Sequence, residues 1–414
     1  MIKPGYQKRF GSTFKVEYPD YPSILQLPDY FRLHQEMGKH DVLELYYPRS
    51  SDFLTKTLKT GVPIRVHWSN GSVKGEFIGY VSDATKTTVQ NIINPVVVRC
   101  VSASYPLKAR EPKVWVNKTA SEVATDIAKK FNLKANISPS PVRYSQLSLS
   151  GHSYWEKLNE LADRIGYAVH AVGTELFFHP IDSMINQFVS VIPTMLFADQ
   201  ITSPLTGYES PTLDMFQPTQ GDYVEGAANN RTDKTVAGVD PITGKVFSST
   251  SSPKLVGQNV RSKTADSLFS SVETGVVAVS HDFAKAFSEA KAHLARLTIP
   301  AKGAGQGDPR IAPWRTIQVQ NTGSETDGYW VVKTAEHFVH RDGRYQVEFT
   351  CATDGLGANI GTAVRPAHTG TAPTRDLRLP NKTSVSSPKL TSVKPLIKEG
   401  NAGFNKTPRR WVGK

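Results

Sequence analysis

The chain is 414 residues long, with 39% hydrophobic residues, two cysteines and a formal net charge of +12. That length calls for two or three domains. Two cysteines exclude a disulfide framework, and no apolar run reaches the roughly 18 residues that a membrane-spanning helix needs. The charge is unevenly placed: residues 361–414 hold 11 of the 49 Lys and Arg but 2 of the 37 acids. The body is therefore nearly neutral, which argues against a basic nucleic-acid-binding fold and for an adhesive C-terminal extension.

Residues 1–39 are rich in Tyr, Pro and charge, without a clear period. They read as an N-terminal arm lying on a neighbour, with Tyr18, Tyr21, Tyr30 and Phe31 as anchors for that contact or as fillers of a local core. The first residues are basic but carry no apolar stretch behind them, so neither a signal peptide nor a transit helix is expected. The protein is expected to stay in the cytoplasm or to assemble into a particle there. Residues 40–108 read as a first β-barrel-like domain. Ile64, Val66 and Trp68 alternate with Arg65 and His67, and Asn70-Gly71 offers a type I′ hairpin turn. Gly75 and Gly79 inside a strand suggest a bulge or a bend.

Residues 109–182 read as an α/β module with two helices. Thr119 with Glu122 and Ser153 with Glu156 each form the pattern of a capping box. In the second helix Trp155, Leu158, Leu161, Ala162 and Ile165 repeat at helical spacing, while Lys157, Glu160, Asp163 and Arg164 take the wet face. Gly166 sits where a helix leaves through a left-handed residue. Two strands follow, Tyr167–Val172 and Glu175–His179, joined by Gly173-Thr174 as a type II′ turn.

Residues 183–360 return to β character and read as a second β-barrel-like domain. The long segment 221–263, rich in Gly, Asn, Thr and Ser, reads as an inserted loop or as a hairpin reaching to a partner. A helix is expected over Asp282–Leu297, with Phe283, Phe287, Ala290, Leu294 and Leu297 as a narrow apolar seam. That seam packs on the chain's own sheet by default, with a coiled-coil contact between subunits as the other reading. Residues 301–314, with glycines at 303, 305 and 307, read as a flexible connection. A strong hairpin then turns at Asp342-Gly343, and Tyr345, Val347, Phe349 and Cys351 face one way along its second strand. Cys100 and Cys351 both fall in strand-like runs and read as buried free thiols.

Two ordered sets of residues resemble one family. Gln146, Ser153, Leu158, Leu161, Ala162, Gly166, Tyr167, Gly173, Leu176 and Phe178 form the first. Pro313, Ile317, Val319, Gly328, Trp330, Val332 and His337 form the second, with Trp314 departing where a glycine is commoner. This is similar to the baseplate hub proteins of contractile phage tails, the late control gene D group, related to the base of the type VI secretion spike. The resemblance covers about half the chain. It implies a non-enzymatic homotrimer in a virion tail, whose two barrels alternate around a pore and join a six-fold tube to a three-fold spike. Sheet edges would then close between subunits, which hides sticky strand borders. The implied partners are the tail tube protein, the central spike protein and baseplate wedge proteins, with DNA in the channel as a further candidate; no membrane insertion is implied.

Packing roles account for the residues that suggest chemistry. Glu336-His337…His340 has neither the order nor the helical setting of a zinc motif, because residues three apart on a strand point to opposite faces. The glycine run follows a helix and opens into a strand, which is the wrong context for a phosphate loop. His152 and Ser153 lie at a helix start, where capping accounts for the serine. No catalytic, cofactor or metal residues are assigned; a cell-wall hydrolase or a carbohydrate-binding module is the rival reading, and a DNA-binding tail terminator a third.

Residues 361–414 hold six prolines and only Phe404 and Trp411 as aromatics, too little apolar surface to fold alone. They read as an extended basic tail that orders on a partner, with Phe404, Arg409, Arg410 and Trp411 as anchors and cations for an acidic groove. The chain as a whole reads as mainly β with an α/β module: two small β-barrel-like tube domains, an inserted α/β domain and an extended C-terminal tail.

Overall fold

Alternation of apolar and polar residues dominates the chain, and the structure realises it as strands. The computed structural model describes residues 11–353, apart from residues 25, 49–51, 72, 87–94, 141, 186–193, 198–211, 219–233, 240–243, 245, 252–270, 279–280, 296, 298, 321 and 323–325. The tail residues Phe404, Arg409, Arg410 and Trp411 lie outside the described residues.

The first part of the chain gives β1 (Thr13–Glu17), β2 (Tyr30–Glu36), β3 (Val42–Tyr47), α1 (Asp52–Thr57), β4 (Pro63–Asn70), β5 (Val73–Lys86) and β6 (Val96–Ser102). The strands lie in the order β1-β4-β5-β6-β3-β2. They curl around a core of Phe31, Leu33, Leu43, Leu45, Ile64, Val66 and Trp68, with Leu54 and Leu58 plugging it from α1 and the residue that follows. Three expectations change here. Residues 13–17 and 30–36 are strands of the sheet rather than an arm, since Phe14, Val16, Phe31 and Leu33 alternate well enough to face a core. The tight turn is centred one residue later than expected, because Asn70 pairs with Val73 and Gly71 takes the positive φ of 59°. Gly75 and Gly79 do not mark the bulge, which falls between Val81 and Asp83. They are glycines because a Cβ at 75 would lie 2.2 Å from the Trp68 ring and one at 79 would lie 2.1 Å from the Val101 carbonyl.

The middle of the chain forms β7 (Val114–Thr119), α2 (Ala120–Lys130), β8 (Lys134–Ile137), β9 (Arg143–Ser148), α3 (Tyr154–Ile165), β10 (Tyr167–Val172), β11 (Glu175–Pro180) and α4 (Ile181–Met184). Both capping boxes are present: Thr119 and Ser153 accept from the backbone N–H of Glu122 and Glu156, whose carboxylates accept from the cap N–H in return. Gly166 closes α3 at φ 70° and Gly173 turns the hairpin at φ 54°. The helices bury Val123, Ile127, Leu158, Leu161 and Ile165 against β10 and β11.

The remaining elements are β12 (Thr194–Phe197), β13 (Thr212–Pro218), β14 (Lys234–Val239), β15 (Val246–Ser251), β16 (Ser271–Ala278), α5 (His281–Ala295), β17 (Ile299–Gln306), β18 (Thr316–Gln320), β19 (Gly328–His340) and β20 (Tyr345–Thr353). Within the segment read as an inserted loop or a hairpin reaching to a partner, β14 and β15 form a hairpin, and it packs on α5: Val236 joins Phe283, Ala284 and Phe287 in one core, and Ser288 Oγ bonds Ser251 Oγ at 2.9 Å. That same core contains α3, so Phe283 and Phe287 of the expected seam pack within their own chain.

Strands β18, β12, β13, β17, β20 and β19 pair in succession, and β19 pairs again with β20. These six strands therefore close a ring within the chain. Its edges are sealed internally, contrary to the expectation that subunits complete them; among the described strands of the first half, β1 stays an edge, tied at its start by Ser12 to the Gly343 carbonyl. The supposed flexible connection is β17 and its exit. A Cβ at Gly303 would lie 2.2 Å from the Phe349 ring, one at Gly305 2.3 Å from the Thr212 carbonyl, and one at Gly307 2.0 Å from the Tyr345 ring. The glycines let aromatic rings and a neighbouring backbone lie flat on the strand.

β19 is the strand common to both halves. Val319 to Thr316 of β18 pair with Gly328 to Val331, and β2 pairs with Thr334 to His340, so the partner changes at the bulge around Lys333. The chain is thus mainly β: a curled half-barrel that runs without a break into a closed ring. Gly303→Ala is expected to cost about 1–3 kcal/mol by overpacking against Phe349, read as a lower urea midpoint, and Phe349→Leu in the same chain should recover part of that loss.

Candidate functional site

Three constellations test whether the described residues hold reaction chemistry. His337 is fully buried and His340 half-buried on the opposite face, so the two histidines share no ion. Among the described residues no group of three or more His, Cys, Asp or Glu could hold a metal. His152 turns to the Ser150 carbonyl at 3.2 Å, away from the capping hydroxyl of Ser153. The nearest approach to a nucleophile, base and orienting group was not singled out from sequence: Ser138 Oγ lies 2.6 Å from His179 Nδ1, and His179 Nε2 lies 3.0 Å from Asn136 Oδ1. Burial pushes His179 down to about 4, which leaves it a poor base near neutral pH. Ser138 N–H also donates to the Phe178 carbonyl, so the trio pins the end of β8 to β11.

The interactions that matter most lie where the two β halves meet. Trp68 Nε1–H donates to Tyr345 Oη at 3.1 Å, and that hydroxyl lies 2.8 Å from His337 Nδ1. Asn70 Nδ2 donates to the Gly307 carbonyl at 2.6 Å from the same side. Tyr345 is buried in the first core, although its strand belongs to the second ring. This chain of polar groups therefore ties β4 to the β19–β20 hairpin through the interior. Burial raises the Tyr345 phenol well above its ordinary range and pushes His337 down to about 4, so both stay neutral.

The outer face over the same joint carries an ordered row of charge. Asp83 pairs with Arg99 at 3.9 Å, Arg99 with Glu44 at 3.0 Å, Glu44 with Arg32 at 3.9 Å, and Arg32 with Glu336. The row crosses β5, β6, β3, β2 and β19. Each exposed pair contributes little alone, but alternation across directly paired strands favours one register. The acids of this row are already matched by arginines, so it is not the acidic groove that a basic tail would need.

A third joint seats the α/β module on the sheet. Trp155 Nε1–H donates to the Gly38 carbonyl at 3.1 Å, and its ring lies 4.3 Å from that of His40, whose Nδ1 meets Ser104 Oγ at 2.8 Å. Trp314 belongs to a core with Ala168, Phe177 and Met184 of the module and Tyr329 and Val331 of the ring, and Met37, next to Gly38, packs against the same core. Trp314 has φ 68°, a left-handed conformation that costs a non-glycine residue about 1–2 kcal/mol. The sequence signal was there: this is the position at which the resembling family more often has glycine.

No family model matches the chain, and no curated protein matches it. Among solved structures, it is similar to a tail protein from Neisseria meningitidis MC58, with a TM-score of 0.57, 10% identity, and coverage of 83% of this chain and 97% of that one. It is also similar to the 43 kDa tail protein of prophage MuSo2 from Shewanella oneidensis, with a TM-score of 0.51, 12% identity, and coverage of 82% and 98%. At these identities the likeness is one of fold, and it extends over nearly the whole of both neighbours.

The buried histidines set a pH dependence. His40, His170, His179 and His337 are each held down to about 4 by burial, from 6.5. The unfolded chain therefore binds more protons between those values, and this stabilisation is complete above about pH 6.5 and is lost as pH falls toward 4. Asp41, raised by burial to about 7, works in the opposite direction, as do Asp163 and Asp214, which burial also raises. His337→Gln is expected to remove one proton's share of the slope, roughly 3 kcal/mol over the window at 1.36 kcal/mol per pH unit, in urea titrations repeated from pH 7 to pH 4.5.

Proposed function

We propose that this chain is a structural protein of a phage or phage-like contractile tail and serves as its baseplate hub. One observation carries the reading: two β halves of about equal strand number share a single hairpin, and the described residues converge on packing and register rather than on a reaction. Three copies of a chain with two such halves offer six β units, three of each kind in alternation. That arrangement meets a six-fold tube on one side while keeping the three-fold symmetry of a spike on the other. The likeness in fold to two tail proteins supports the same reading.

In this reading the chain does no chemistry. Its partners are two further copies of itself, the tail tube protein, the central spike protein and baseplate wedge proteins. Because the second ring is sealed within the chain, copies meet through side-chain faces rather than by completing that ring's edges. Residues 361–414 are the segment suited to reach a neighbour, with Phe404 and Trp411 as anchors and Arg409 and Arg410 as cations. The rival reading, a cell-wall hydrolase, has Ser138 as its best nucleophile, and the buried weak base beside it speaks against it.

Cryo-electron microscopy of the intact particle tests the hub assignment: three copies at the junction of tube and spike are expected, and one or six copies there would sink it. Purified protein should release no peptidoglycan fragments; sustained release that Ser138→Ala abolishes would favour the enzyme instead. Deleting residues 361–414 should leave the melting temperature of the body unchanged but lower its recovery with partner proteins, with the double variant Phe404→Ala, Trp411→Ala giving most of that loss.

A further inference from the structure

We propose that Asn70 is a deamidation site, and that its conversion to a carboxylate cuts a tie between the two β halves. Asn70-Gly71 is the one Asn-Gly pair in the chain. It lies where β4 turns into β5: Asn70 pairs with Val73, Gly71 takes φ 59°, and the glycine is exposed while the asparagine is half-buried. Asparagine is among the chemically labile residues, and a following glycine has no side chain to shield its backbone nitrogen. The reaction needs only water, which reaches this exposed turn. The Gly71 nitrogen attacks the Asn70 side-chain carbonyl carbon, an N–C bond forms, and the bond from that carbon to Nδ2 breaks. Nδ2 leaves as ammonia with the proton of the Gly71 amide. Water then opens the cyclic imide at either carbonyl carbon, which leaves aspartate or isoaspartate at residue 70.

The consequence follows from the hydrogen bond that the amide holds. Asn70 Nδ2 donates to the Gly307 carbonyl at 2.6 Å, and so links the β4–β5 hairpin to the exit of β17 in the second ring. That carbonyl is fixed in place: Gly307 N–H donates to the Tyr345 carbonyl at 2.9 Å, and a Cβ on Gly307 would lie 2.0 Å from the Tyr345 ring. A carboxylate only accepts hydrogen bonds, so at residue 70 it faces the Gly307 oxygen as a second acceptor. It also brings a negative charge close to Asp308, which is nearly buried and already forked by Arg310. Isoaspartate adds a carbon to the main chain at the end of β4, just after Trp68, whose indole N–H holds Tyr345. The bond that conversion destroys also slows it, because the amide must turn out of its place on Gly307 for the Gly71 nitrogen to reach its carbon. The inference rests on this joint and not on the hub reading, so either can fail alone.

Peptide mapping by mass spectrometry tests it on the full chain, incubated in mildly alkaline buffer. Residue 70 should lose its amide ahead of every other asparagine, and several times faster in the unfolded chain than in the folded one. The urea midpoint of the folded chain should fall in step with the fraction converted. Freshly purified Asn70→Asp should start at the lowered midpoint, below that of Asn70→Ala, which loses the donor without gaining a charge. Aged Asn70→Ala should show no further fall, which separates residue 70 from damage elsewhere. Retention of the amide at residue 70 while other asparagines convert would overturn the proposal. So would a converted chain, or Asn70→Asp, that keeps the midpoint of the fresh protein. Equal rates in the folded and unfolded chain would show that Gly307 does not hold the amide, and would overturn the tie as well.

Discussion

The structure depends on one constraint: a single hairpin must pair into both halves of one sheet at once. β19 gives its first half to β18 and its second half to β2, while β20 pairs along most of its length. A strand that changes partner partway has no freedom to slip, because a shift of one residue would turn every side chain to the wrong face in both halves together. The side chains around it enforce that register in two ways. Inside, Trp68, Tyr345 and His337 form a chain of neutral hydrogen bonds. Outside, the alternating row from Asp83 to Glu336 crosses the same boundary. The polar interior is costly if left unpaired, so it penalises the wrong register more than it rewards the right one.

Local signals in the sequence carry the α/β module almost completely. Capping boxes, the exit at Gly166 and the turn at Gly173 each depend on residues within a few positions of one another, and all are in place. The β halves are legible as strands but not as a topology. Nothing near Thr334 says that it pairs with Glu36, about 300 residues earlier in the chain. The glycines of β17 show the same limit. Read alone, they signal a flexible connection; the reason for them is the Phe349 and Tyr345 rings that lie on the strand. The N-terminal strands were missed for a related cause: they are short, and their apolar alternation acquires meaning only against the core they close.

What reasoning from residues did isolate about the joints was a departure rather than a match. Trp314 stands out because its neighbours fit a pattern that it breaks, and the structure places it in the backbone conformation that glycine serves best. By contrast, Ser138, His179 and Asn136 carry no signal in sequence, since a serine, a histidine and an asparagine on two strands are unremarkable until the strands pair. Their geometry resembles catalysis, yet each bond has a plain structural use. The distinction rests on basicity: an imidazole held neutral by burial accepts a hydrogen bond but resists the proton that a general base must take.

The two joints are held by different means. The hairpin that joins the β halves is tied through the interior by hydrogen bonds and across the surface by ion pairs, so relative motion of the halves would break both at once. The module meets them through the core around Trp314 and through the Trp155 indole, which donates to the Gly38 carbonyl.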